Sequence, residues 1–188
     1  MFELGAGERS ELLELARRAL EFFFETQSLL HREPRHSSLH SSAGVFVSLH
    51  SNAMLRGCVG RVKADLPLYK AVPELTLAAA FEDSRFPPLR RDELAEVEIE
   101  VSVLSDILPI ASLKEIALGR HGLIVTKGEH RGLLLPQVAA ERGWDCFRFF
   151  RETCRKAGLP PDSWCRGAMV ERFSAQVFRE AGHAEART

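Results

Sequence analysis

Gly44-Val45-Phe46-Val47-Ser48-Leu49-His50, then Ser51-Asn52-Ala53, then Met54-Leu55-Arg56-Gly57-Cys58-Val59-Gly60-Arg61: two β-rich runs around a short polar break predict a hairpin. In an extended second arm alternate side chains share a face. Arg56, Cys58 and Gly60 then point one way, and Leu55, Gly57 and Val59 the other. That reading sets a guanidinium beside a thiol, and a fixed positive charge favours thiolate, so Cys58 is a candidate nucleophile. Gly57 and Gly60 inside a strand mark places where another backbone or a ligand comes close. The plainer alternative is packing, because free cysteine is among the most buried residue types.

Working outward, Ser10 to about Leu30 carries apolar residues at helical spacing (Leu12, Leu13, Ala16, Leu20, Phe23, Phe24), with Glu11, Glu14, Arg18, Glu21 and Glu25 facing outward. His31, His36 and His40 follow in a loop-forming stretch whose spacing fits no compact metal motif, and a solvated loop is expected there. Asp65-Leu66-Pro67 reads as a helix start, with Asp65 as cap and Pro67 in the first turn, leading through Leu68 to Phe81 and interrupted by Pro73. Arg85-Phe86-Pro87-Pro88-Leu89 is a stiff, extended loop that holds Arg85 and Phe86 in place.

Glu96 to Leu104 alternates cleanly. Val97, Ile99, Val101 and Val103 form one face, and Glu96, Glu98, Glu100 and Ser102 the other, which predicts a half-buried strand with a wet glutamate row. Ser112-Leu113-Lys114-Glu115 is a capping box expected to open a short helix ending at Gly119. Gly119-Arg120-His121-Gly122 is read as a turn in which His121 is placed for proton transfer, or simply hydrogen-bonds the turn. Two further strands, Leu123-Ile124-Val125 and Gly132 to Leu135, form a second hairpin. Helices follow from Pro136-Gln137 and over residues 145–157, where Cys154 falls in the core. A last strand covers Met169 to Phe178, and residues 182–188 form a loose tail. Hairpins outnumber strand-helix-strand units, so the fold class is α+β, with antiparallel sheets packed by helices.

Composition narrows the function classes. The 188 residues make one domain, with 45% hydrophobic residues to fill its core. Lys and Arg number 25 against 26 Asp and Glu, so the chain lacks the broad basic footprint of a nucleic-acid coat. The four cysteines contain no C-x-x-C pair, which argues against zinc-ribbon and thioredoxin chemistry; no metal site and no particular cofactor is indicated. A charged N-terminal stretch and the lack of a membrane-length apolar run lead us to expect a soluble cytoplasmic protein with no membrane partner.

Six ordered blocks resemble the AMMECR family. They are Leu55-Arg56-Gly57-Cys58-Val59-Gly60, Phe81 through Leu89, Glu98 through Ser105, Gly119 through Leu123, Gly132 through Ala139, and Thr153 through Leu159. The resemblance covers nearly the whole chain, 1–188, as a single domain. It implies two unequal, interleaved lobes with a groove between them. It also implies likeness to protein A of the AmmeMemoRadiSam system, with Memo-like and radical SAM proteins as partners, and a link to RNA modification.

Two functional readings result. In one the chain is an enzyme or enzyme component acting on a small anionic or nucleotide-like substrate, with Cys58 and His121 as catalytic residues. Its substrate contacts would be Arg56, Gly57, Gly60, Arg85, Phe86, Arg120 and Gln137. In the other it is a non-catalytic binding module for RNA, a nucleotide or partner proteins, with Arg56, Arg61, Arg85 and Arg120 holding anions and Phe86 stacking.

Overall fold

A computed structural model describes residues 3–180; the expected tail at 182–188 lies outside the described residues. The described residues form two compact units, one of residues 3–103 with 176–180, the other of Leu104–Ala175. The fold is α+β with antiparallel strand pairing, as the hairpin count predicts.

The first unit begins with helix α1 (Ala6–Thr26) and continues into the hairpin of β1 (Val45–Ser51) and β2 (Met54–Arg61). Asn52 and Ala53 both have positive φ, 50° and 62°, the geometry of the tight turn whose twist matches paired strands. Helix α2 (Leu68–Phe81) runs unbroken through Pro73, and β3 (Val97–Leu104) pairs with the other side of β1. Asp65 does not cap α2; it pairs with Arg61, and Pro67 stands at the cap position. The core forms where α1 and α2 cover one sheet face, burying Leu12, Leu15, Leu20, Leu49, Val72 and Ile99. Each such side chain is worth roughly 1.5–3 kcal/mol of burial.

Two expectations for α1 need correction. Glu11, expected outside, is buried because the segment after α1 folds back over it. Its carboxylate accepts the backbone N–H of Arg35 (2.6 Å) and of His36 (3.0 Å) and meets His36 Nδ1 at 2.5 Å. The histidine loop is therefore tied to α1 by carboxylates, with Ser38 on Glu8, Arg32 on Glu14 and Arg35 on Glu11 and Glu14. His40 pairs with Glu33, and among the described residues no group of three metal-ligating side chains comes together. The helix also ends at Thr26, short of Leu30.

The second unit holds β4 (Leu108–Pro109), β5 (His121–Lys127), β6 (His130–Leu134), helices α3 (Pro136–Glu141) and α4 (Cys146–Lys156), and most of β7 (Met169–Arg179). β7 pairs with β5 and β4, and β5 pairs with β6. Leu123, Val125, Phe149, Phe150, Cys154 and Val170 make its core. The Ser112 capping box is present, yet it caps only a 3₁₀ turn at Leu113–Glu115. Among the described residues no helix is long and apolar enough to cross a membrane.

Candidate functional site

The decisive irregularity is in β2. His50 pairs with Leu55 and Leu49 with Gly57, so Arg56 is an extra residue with no partner across the ladder, a β-bulge. The bulge breaks the strict alternation expected for Arg56 and Cys58. Instead of lying along the sulfur, the Arg56 guanidinium forms a two-pronged pair with Glu93 (2.9 and 3.1 Å) and donates to the carbonyls of Pro87 (2.9 Å) and Pro88 (3.4 Å). This contact holds the Glu93 carboxyl below its usual range. Arg56 thus anchors the diproline loop.

Both glycines mark close approach, and the neighbours are the protein's own. A Cβ on Gly57 would fall well inside 3.0 Å of the Ala79 carbonyl oxygen in α2, and one on Gly60 would overlap the Phe46 ring. These two positions let a helix and an aromatic ring pack onto β2.

The cation at Cys58 is Arg85. β2 is the free edge beside β1, and its outward backbone groups at Cys58 are taken up by side chains. Asp83 accepts the Cys58 N–H at 2.9 Å, and Arg85 Nη2 donates to the Cys58 carbonyl at 3.2 Å. The two side chains also pair with each other, at 2.9 Å through Nε and 2.6 Å through Nη2. Asp83 starts the turn, its carboxylate accepting the Arg85 N–H and its carbonyl the Phe86 N–H. Arg85, with the Cys58 N–H helping against burial, drives the Asp83 carboxyl well below the usual range. Arg85 itself is largely exposed and lies 5.5 Å from the Phe86 ring centroid.

On the sheet face away from α2, the sulfur of the half-exposed Cys58 receives a hydrogen bond from Ser48 Oγ at 3.3 Å. Ser48 stands opposite Cys58 on β2 and opposite Glu100 on β3. Glu100 in turn accepts from Arg179 of β7 at 2.5 Å. Thiol, hydroxyl, carboxylate and guanidinium therefore form one row over four strands. The glutamate row is not uniformly wet: Glu96 is exposed, but Glu100 and Ser102 are buried. Sequence reading named Cys58 and missed Ser48, Glu100, Arg179 and Asp83. The first three needed the strand register, although Asp83 two residues before Arg85 was a visible turn signal.

His121, Arg120 and Gln137 belong to the second unit. His121 is the first residue of β5 rather than a turn residue. Its Nδ1 accepts the Ala117 N–H at 3.0 Å, and Arg172 Nη1 lies 3.0 Å from Nε2. Burial, then the charges of Arg172 and Arg120, push the imidazole pKa down. Gln137 Oε1 and Arg172 Nε are both buried without a hydrogen-bond partner among the described residues. Cys154 is sealed in the core, and Cys146 is half-exposed with its sulfur toward the Ile116 carbonyl at 3.7 Å.

The AMMECR1 family model matches residues 13–178. The chain belongs to the AMMECR1 family. A protein of Methanopyrus kandleri is 42% identical over 179 residues, covering 90% of this chain and 86% of its own length. A Pyrococcus furiosus protein is 43% identical over 183 residues, with 90% and 86% covered. The crystal structure of an uncharacterized Pyrococcus horikoshii protein matches with a TM-score of 0.84 at 40% identity, covering 93% of both chains. The AMMECR1 match spans both compact units, so the braced Cys58 edge and the His121 strand fall inside the family region.

Proposed function

We propose that this AMMECR1-family chain is an enzyme or enzyme component with Cys58 as its reacting group and a small anionic or nucleotide-like substrate. One observation carries the reading: Cys58 is held from three directions and is still reachable. Asp83 and Arg85 fix its backbone, Ser48 donates to its sulfur, and the residue is half-exposed. Packing alone requires none of these. Arg85 Nη1 has no hydrogen-bond partner among the described residues, and with the Phe86 ring it offers an anion and a planar group a place to bind beside the thiol. This reading uses one compact unit only.

Iodoacetamide labelling with site-resolved mass spectrometry tests it, with the half-exposed Cys146 as internal standard. Cys58 is expected to be alkylated about tenfold faster than Cys146, because the Ser48 hydroxyl donates to its sulfur whereas the Cys146 sulfur faces the Ile116 carbonyl. Ser48→Ala slows that reaction, and inorganic phosphate protects Cys58 in the parent chain but not in Arg85→Gln. Equal rates at the two cysteines remove the proposal.

The Arg85–Phe86 pair also supports the second reading, a binding module for a nucleotide or RNA. Cys58→Ser separates the two. A binder keeps its affinity in that variant, whereas a thiol enzyme loses its activity and keeps only substrate binding.

A further inference from the structure

We infer that the depression between the Leu113–Glu115 turn and α4 is a docking site for an acidic segment of a partner protein that inserts one large apolar side chain. It lies wholly within the second unit and offers about 670 Å³. Its floor is apolar, built from Leu113, Phe147, Phe150, Pro161 and Trp164. Phe150 and Trp164 meet edge to face at 5.8 Å, while Phe147 is 59% exposed. A phenylalanine left so open on a helix whose other aromatics are buried is a contact surface without its cover.

The charge around this floor identifies the cover. Lys114 and Arg151 line the depression, and Arg148 projects from the same helix. Among the described residues none of these three cations has a carboxylate partner: Arg151 lies over Phe147 at 5.7 Å and Arg148 over Trp144 at 5.6 Å. The contrast is local, because Arg155 on α4 is paired with Glu152, and Asp162 at the edge of the depression is neutralised by Arg166. An apolar floor under unpaired cations is complementary to a peptide that alternates carboxylates with a hydrophobic anchor.

Other occupants fit less well. A second copy presenting this face would set cation against cation. A nucleic acid would need a basic field wider than these three cations and rings free to stack, whereas Arg151 already lies over the Phe147 ring. The floor is apolar, the Trp144 ring is occupied by Arg142 and Arg148, and the net charge of −1 supplies no wider field.

The test is a display selection of short random peptides on the full chain. Winners are then measured by fluorescence anisotropy against the parent, Phe147→Ser, Lys114→Glu and Arg151→Glu, with circular dichroism confirming the fold of each. Phe147 and these cations sit at the surface, so the variants fold. Winners are expected to carry an aromatic or large aliphatic residue flanked by Asp or Glu. Binding should weaken about tenfold in Phe147→Ser and in Arg151→Glu, the scale of an interface anchor, and should fall as salt rises. The inference is overturned by failure to select any peptide, by winners without acidic residues, or by winners that bind the variants as tightly as the parent. It is likewise overturned if single-stranded oligouridylate binds in a Phe147-dependent manner and displaces the peptides.

Discussion

Asp83 and Arg85 together stand in for a missing strand: the carboxylate accepts the Cys58 N–H at 2.9 Å while the guanidinium donates to the Cys58 carbonyl at 3.2 Å. An edge strand ordinarily leaves such groups to water. Here a salt-bridged pair satisfies both, and the carboxylate is itself nearly inaccessible. Replacing Asp83 by Ala strands the Cys58 N–H and loosens Arg85. Urea denaturation should show a loss of about 1–3 kcal/mol, and amide exchange at Cys58 should accelerate.

The two glycines of β2 differ in what blocks them. Gly57 faces a backbone carbonyl of α2, which cannot swing away, and Gly60 faces a phenyl ring, which can. Gly57→Ala is therefore expected to cost more than Gly60→Ala, about 3 kcal/mol against about 1. Adding Phe46→Ala should recover part of the Gly60→Ala loss and none of the Gly57→Ala loss. Thermal melts of the double-mutant cycle would read this coupling.

Glu11 makes stability pH-dependent. Burial raises its pKa, but hydrogen bonds from the Arg35 and His36 backbone and the His36 ring outweigh that and hold it at about 2, against 4.5 when unpaired. The unfolded chain thus takes up the proton first as pH falls. The contribution is complete above pH 4.5 and disappears between 4.5 and about 2, amounting to up to about 3 kcal/mol. Glu11→Gln should flatten stability over that interval, as measured by denaturant midpoints across acid pH.

His121 moves in the direction that keeps it neutral. Burial and the Arg172 and Arg120 charges depress its pKa from 6.5, so the unfolded chain protonates first and the related stability is lost as pH drops below 6.5. NMR titration should place the His121 ring below the ordinary imidazole value of 6.5. Arg172→Gln should move it back upward; a ring titrating at 6.5 or above in the parent chain would contradict this geometry.

Local pattern determined a large part of this protein. The period-two alternation of residues 97–104, the polar break at Ser51-Asn52-Ala53 and the apolar stripe of α1 are encoded in neighbouring residues, so the α+β class and both hairpins were legible. Cys58 stood out for the same reason. The tertiary structure alone decided which cation serves it. A single-residue bulge turned Arg56 toward Glu93, 37 residues away, and the Asp83 turn after α2 brought Arg85 from 27 residues away to the Cys58 carbonyl. Glu11 and Glu100 were read as solvated because a charge on a helix or strand looks the same from its neighbours whether or not distant chain covers it. Burial of a carboxylate depends on donors supplied from elsewhere, here Arg35, His36 and Arg179, and a periodic pattern carries no record of its partners.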